Sequence, residues 1–163
     1  MNAKSEYLQI RLTPAQKTAV KRLARQSGQD MSSYVLSRII PHDRERFDGL
    51  IRALEAGGDR RFALAELNDV LSRLAPARLL ETVGQAELRD LPPLDQNYVA
   101  AMVEQAADRK GVEPPAWTRD VVPLETPWFA TPVKSLRVHL LRSAPVPFKR
   151  RNLFVDASVG DRV

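Results

Sequence analysis

Residues 6–13, EYLQIRLT, alternate cleanly: Leu8, Ile10 and Leu12 fall on one side, and Tyr7, Gln9 and Arg11 on the other. That period predicts a strand with one buried face. At Thr13 the period lengthens. Thr13 can cap a helix, Pro14 suits its first position and Gln16 can complete a capping box. Ala19, Val20, Leu23 and Ala24 then follow helical spacing, with Lys17, Lys21, Arg22 and Arg25 on the wet face and Gly28 as a left-handed stop. The expected helix spans 14–27. A second helix is expected over 32–40, with Ser32-Ser33 at its start, Val35, Leu36, Ile39 and Ile40 on its apolar face, and Pro41 after it.

The pattern stays helical through the middle of the chain. Phe47, Leu50, Ile51 and Leu54 mark a helix closed by Gly57-Gly58, read as an extension or arm over residues 42–58. Leu64, Leu67, Val70, Leu71 and Leu74 form the next stripe, and Pro76 divides that stretch into two helices or kinks one. Tyr98, Met102, Val103 and Ala106 mark another helix, ending near Gly111. Beyond Pro114 prolines are frequent and leave room for one longer helix, over 133–143, with Val133, Leu136, Leu140 and Leu141 inward. Trp117, Trp128, Phe129 and Phe148 are expected to supply most of the packing area there. The fold class expected is mainly α, divided into a module over 1–41, an arm over 42–58 and a proline- and aromatic-rich domain over 59–163.

Charge changes this picture more than composition does. Lys and Arg outnumber Asp and Glu by seven to two in residues 1–40, trail by eleven to sixteen in 41–133, and lead again by seven to two in 134–163. A basic first block is what a phosphate-binding surface needs, because neutralised phosphates release their counterions; a solvated helix face rich in lysine is the plainer explanation. Cysteine is absent, which leaves no disulfide or thiolate site and makes a reducing interior the easiest setting. No apolar run is long enough for a membrane span and the polar opening MNAKSEYLQ lacks a signal-peptide core, so a cytoplasmic protein is expected.

Signs of catalysis are few. Glu66 with Asp69, or Glu104 with Asp108, have the spacing to share a metal, but no histidine accompanies either pair, and wet helical faces are commonly acidic. His42 and His139 suit surface or packing roles, and neither a phosphate loop nor a nucleophile motif is present. Neither enzymatic activity nor a cofactor is expected.

One strand and two short helices cannot satisfy the strand's hydrogen bonds or build a core, so the first module is expected to pair with a second copy. The run LQIRLTPAQKTAVKRLARQSGQDMSSYVLSRII, residues 8–40, resembles the ribbon-helix-helix family of Arc/MetJ-type DNA-binding proteins, particularly its antitoxin branch. The resemblance implies a dimer whose two strands pair antiparallel and place outward side chains in the major groove. By position the base readers are Tyr7, Gln9 and Arg11. Gln9 can bond an adenine edge and Arg11 a guanine edge, each pairing worth about 1–3 kcal/mol of discrimination. Lys4, Ser32 and Ser33 are the candidates for phosphate contact, Ser32 and Ser33 through amides at a helix N-terminus; ordinary capping by the two serines is compatible with that role.

The second half resembles, less specifically, a region of bacterial proteins encoded beside nucleotidyltransferase-like toxins, through PAWTRD at 115–120, PWF at 127–129 and PFKRRNLFV at 147–155. A different DNA-binding head often precedes that region, which implies a modular chain with DNA at one end and a protein partner at the other. The expected function is that of an antitoxin in a type II toxin-antitoxin pair, repressing its own operator as a dimer and sequestering its toxin. The alternative is a stand-alone regulator whose C-terminal domain binds an effector or another subunit. Candidate toxin contacts are Trp128, Phe129, Lys149, Arg150 and Arg151, the three cations being suited by charge to block nucleotide phosphates at a transferase site. A solvated basic turn is the competing reading of that triplet.

Overall fold

The computed structural model describes residues 9–39 and 42–156, and among them the protein is mainly helical. The chain divides into two compact units, Met1–Pro41 and His42–Val163.

In the first unit α1 (Pro14–Gln26) begins on a complete capping box. Thr13 Oγ1 accepts from the Gln16 amide at 3.3 Å while Gln16 Oε1 accepts from the Thr13 amide at 2.9 Å. Gly28 turns the chain out of the helix at φ +66°. The second helix, α2 (Met31–Ile39), starts one residue earlier than Ser32, because Asp30 is its cap: Asp30 Oδ1 accepts from the amides of Ser32 at 2.9 Å and Ser33 at 3.0 Å. Residues 9–13 carry no strand. Among the described residues no strand pairs with this segment, and a ladder needs a neighbouring backbone. Residues 1–8, which hold the rest of the expected strand, lie outside the described residues.

The second unit opens with α3 (His42–Glu55), which turns at Gly57, φ +72°, into α4 (Arg60–Arg73), capped by Asp59. Gly58 is required by close packing, since a Cβ there would sit 2.8 Å from the Ala53 carbonyl oxygen. Far from being an arm, α3 is core: Phe47, Ile51 and Leu54 are buried against the following helices. Its apolar residues recur at helical spacing because they face α4 and α5 (Pro76–Val83), a packing that alternation along one segment cannot disclose.

At the centre lies α6 (Pro93–Lys110), which packs against α4, α5 and two short helices, α7 (Trp117–Asp120) and α9 (Val146–Lys149). Val99, Ala100, Ala101, Met102, Val103, Ala106 and Ala107 are all buried, so small side chains bring its neighbours close on several sides. A feature outside the sequence reading is a small parallel sheet: β1 (Trp128–Phe129) pairs with β2 (Leu153–Phe154), Trp128 opposite Leu153 and Phe129 opposite Phe154.

Between these strands runs α8 (Lys134–Ser143), and here the expected inward face is corrected. Leu140 is buried, but Val133, Leu136 and Leu141 are 49%, 50% and 45% exposed. The reason is the size of what α8 packs on. Its seam is a small cluster of Leu140, Ala144 and Phe154 with Phe129, which covers only a narrow stripe of the helix.

Candidate functional site

Along the first unit the cations stand free. Arg11 is exposed, and α1 displays Lys17, Lys21, Arg22 and Arg25 with no acidic residue on the same helix. None of these five side chains has an ion-pair or hydrogen-bonding partner among the described residues. Gln9 is exposed too. So are the apolar residues that alternate with these two: Ile10 is 50% and Leu12 43% exposed. Both sides of the expected strand therefore face solvent in one chain. Ala24 is the one buried residue among those described in this unit, while Leu23 is 41% exposed and Val20, Val35 and Leu36 are half-buried. Of the remaining DNA candidates, Lys4 and Tyr7 fall outside the described residues.

Ser32 and Ser33 do not present a vacant anion site. Both amides are taken by the Asp30 carboxylate, and Ser33 Oγ donates to Asp30 Oδ2 at 2.5 Å. An arriving phosphate would meet a like charge already seated on the helix N-terminus.

The candidate partner contacts of the second unit separate into two groups. Arg151 is buried and holds the fold: its guanidinium donates to Glu104 Oε1 at 2.6 Å, to the Thr118 carbonyl at 2.5 Å and to the Val121 carbonyl at 3.2 Å, and lies 3.4 Å from Asn97 Oδ1. Asn97 is buried in turn and donates to the carbonyls of Pro93 and Val122, both at 2.9 Å. Trp128 and Phe129 are half-buried; Trp128 packs on the main core, and Phe129 stacks on Phe154 with ring centroids 4.9 Å apart. Lys149 donates to the Arg142 carbonyl at 2.8 Å. Arg150 alone of the KRR triplet is exposed and without a side-chain partner among the described residues. The triplet is thus not one basic patch.

A second cluster went unseen in the sequence. The Arg60 guanidinium lies over the rings of Tyr98 and Trp128, at 5.1 Å and 5.6 Å from their centroids, and pairs with Asp95. Tyr98 meets Trp128 and Phe148 edge to face. Burial pushes the Tyr98 phenol above the ordinary tyrosine value, and the nearby Arg60 charge opposes that shift. Aromatic enrichment was the available signal, but it did not indicate Arg60, whose partners are distant in sequence.

Three of the four carboxylates weighed as metal ligands are otherwise engaged, Glu66 with Arg46, Asp69 with Arg73 and Glu104 with Arg151, while Asp108 is exposed. Among the described residues no group of three or more His, Cys, Asp or Glu is placed to hold a metal. His139 is exposed and lies 3.9 Å from Asp156. A recess of about 200 Å³ between α4 and α6 is lined by Ser72, Gln105, Lys110 and Phe148 among others, and Lys110 already donates to the Ser72 carbonyl at 3.1 Å. No helix among the described residues is long and apolar enough to cross a membrane. The chain matches no family of proteins, no curated protein and no solved structure.

Proposed function

We propose that the protein is the antitoxin of a type II toxin-antitoxin pair, binding operator DNA as a dimer through its first unit and a cognate toxin through its second. One observation supports the DNA-binding half above the others. Among its described residues the first unit has a half-built apolar interior beside a helix of unpaired cations: Ile10, Leu12 and Leu23 are exposed and only Ala24 is buried. A second copy would cover the first three, give the strand expected over 6–13 a pairing partner, and double the cationic surface offered to phosphate. The base readers in this reading are Tyr7, Gln9 and Arg11, with Lys4 on the backbone; the cap at Asp30 removes Ser32 and Ser33 from the primary phosphate contacts.

The antitoxin half rests on the likeness of residues 115–155 to proteins encoded beside toxins. The deciding experiment expresses the chain with the product of the adjacent gene, purifies through a tag on one, and measures growth with the neighbour alone and with both. Arrest by the neighbour, rescue by this chain and co-elution are the expected results. A harmless, unbound neighbour would leave a stand-alone regulator.

A further inference from the structure

Five of the eleven exposed large apolar side chains among the described residues lie within 133–146: Val133, Leu136, Val138, Leu141 and Val146. Sequence position alone does not make them a surface; helical geometry does. Lys134, Val138, Leu141 and Arg142 stand at spacings of four, three and one along α8, which places them on one stripe, turned away from the seam made by Leu140 and Ala144. Through Lys149 the short helix α9 is tied to the last turn of α8, and Val146 and Arg150, four residues apart at its two ends, are exposed beside that tie. Lys134, Arg142 and Arg150 are exposed and have no side-chain partner among the described residues. α8 and α9 carry no Asp or Glu, and the Asp156 carboxylate lies beside His139 rather than beside these three cations.

We infer that this outer face of α8, together with Val146 and Arg150, is the docking surface for the toxin, and that the toxin meets it with an apolar patch rimmed by carboxylates. The inference rests on the antitoxin reading and locates its protein interface. Charge selects the occupant. A second copy seated on the same face by a two-fold axis would set cation against cation. Nucleic acid would satisfy the three cations but leave Val138, Leu141 and Val146 without apolar cover. An anionic bilayer fits the charge, yet the stripe carries only valine and leucine, without the Trp or Phe that usually deepens interfacial insertion. A protein surface with a nonpolar centre and an acidic margin satisfies both sets of side chains.

The test uses the full chain with the purified product of the adjacent gene, by titration calorimetry. Val138→Asp/Leu141→Asp removes the apolar centre, Arg142→Glu/Arg150→Glu reverses the margin, and Phe62→Asp, at a side chain 63% exposed elsewhere on the unit, is the control. The expected result is binding at least about tenfold weaker for each double variant, with unchanged melting and an unaffected control. Binding of both double variants within about twofold of the parent overturns the surface while leaving the antitoxin reading intact. Failure of the unmutated chain to bind overturns that reading and this surface together. Two further measurements exclude other occupants: co-sedimentation with phosphatidylcholine–phosphatidylglycerol vesicles, or self-association, lost in Val138→Asp/Leu141→Asp would overturn the assignment.

Discussion

Arg151 and Glu104 form an ion pair at 2.6 Å in which the side chains are only 6% and 16% exposed. Arg151 also satisfies the carbonyls of Thr118 and Val121, so a single guanidinium ties α6 to the turns around α7 and to the strand that follows at β2. Removing it strands a carboxylate and two carbonyls in a poorly hydrated place.

Arg151→Met should therefore destabilise the second unit by about 3–5 kcal/mol, the range for breaking a buried pair on one side. Arg150→Ala, one residue away and exposed, should change stability by no more than about 0.5 kcal/mol. Urea denaturation of the two variants followed by tryptophan fluorescence makes the comparison; equal losses would contradict the central place given to Arg151. Adding Glu104→Leu to Arg151→Met should restore part of the loss, because the unpaired charge is gone.

A cap gives a second prediction. Asp30 seats its carboxylate on the Ser32 and Ser33 amides, so Asp30→Asn should keep the cap within a few tenths of a kcal/mol, roughly, while removing the negative charge. If DNA phosphates pass near this helix start, the variant should bind duplex DNA more tightly. Fluorescence anisotropy at several salt concentrations reads the effect, and an unchanged affinity would place the N-terminus of α2 away from the DNA.

Sequence and structure agree where the determining chemistry is local. Thr13, Pro14, Gln16 and Gly28 announce both ends of α1 because a cap, a first-turn proline and a left-handed stop each act within a few residues. The start of α2 was displaced by one residue because Asp30 and the two serines are all good caps, and only backbone geometry chooses among them. Lys149, Arg150 and Arg151 look equivalent in sequence; their difference is made by Glu104, 47 residues from Arg151. The sheet is obscure for the same reason, since each strand is two residues long and its partner lies beyond two helices. On α8 the apolar period was visible, but periodicity reports amphipathic spacing and not the width of the surface available to bury it.

Tyr98 gives a pH dependence with a definite sign. Burial raises its pKa in the folded protein above 10.0, so the folded state holds the phenolic proton more tightly than the unfolded chain does. That contribution is fully present below the unfolded value and is lost as pH rises through the folded one. Stability should fall above about pH 10, and Tyr98→Phe should flatten this part of the profile. Urea midpoints across alkaline pH, together with phenolate absorbance, test the assignment; an identical decline in the variant would assign the loss to other groups.

If the first unit binds DNA as proposed, base reading and phosphate attraction make separable demands on it. Arg11→Ala should cost about 1–3 kcal/mol on the preferred operator and narrow its margin over unrelated DNA. Lys17→Ala and Lys21→Ala should weaken binding to both sequences alike and lower the salt slope, by about one for each phosphate that is no longer neutralised. Anisotropy titrations on operator and scrambled duplexes distinguish the two; parallel losses for all three variants would remove Arg11 from the readers.

The incomplete interior of the first unit leads to a prediction independent of DNA. Among the described residues of this unit Ile10, Leu12 and Leu23 are exposed in the single chain and Ala24 alone is buried; in the dimer proposed above, a second copy supplies the missing apolar cover. Folding of this unit should then depend on protein concentration, its melting temperature rising as the chain is concentrated, while melting of the second unit stays fixed. Leu12→Asp places a charge in the shared interior and should yield monomers by sedimentation velocity. Lys17→Ala on the wet face should leave the dimer intact. A unit that melts at the same temperature over a wide concentration range and sediments as a monomer would show that α1 and α2 stand without a partner, and the paired strand that carries Gln9 and Arg11 would have no basis.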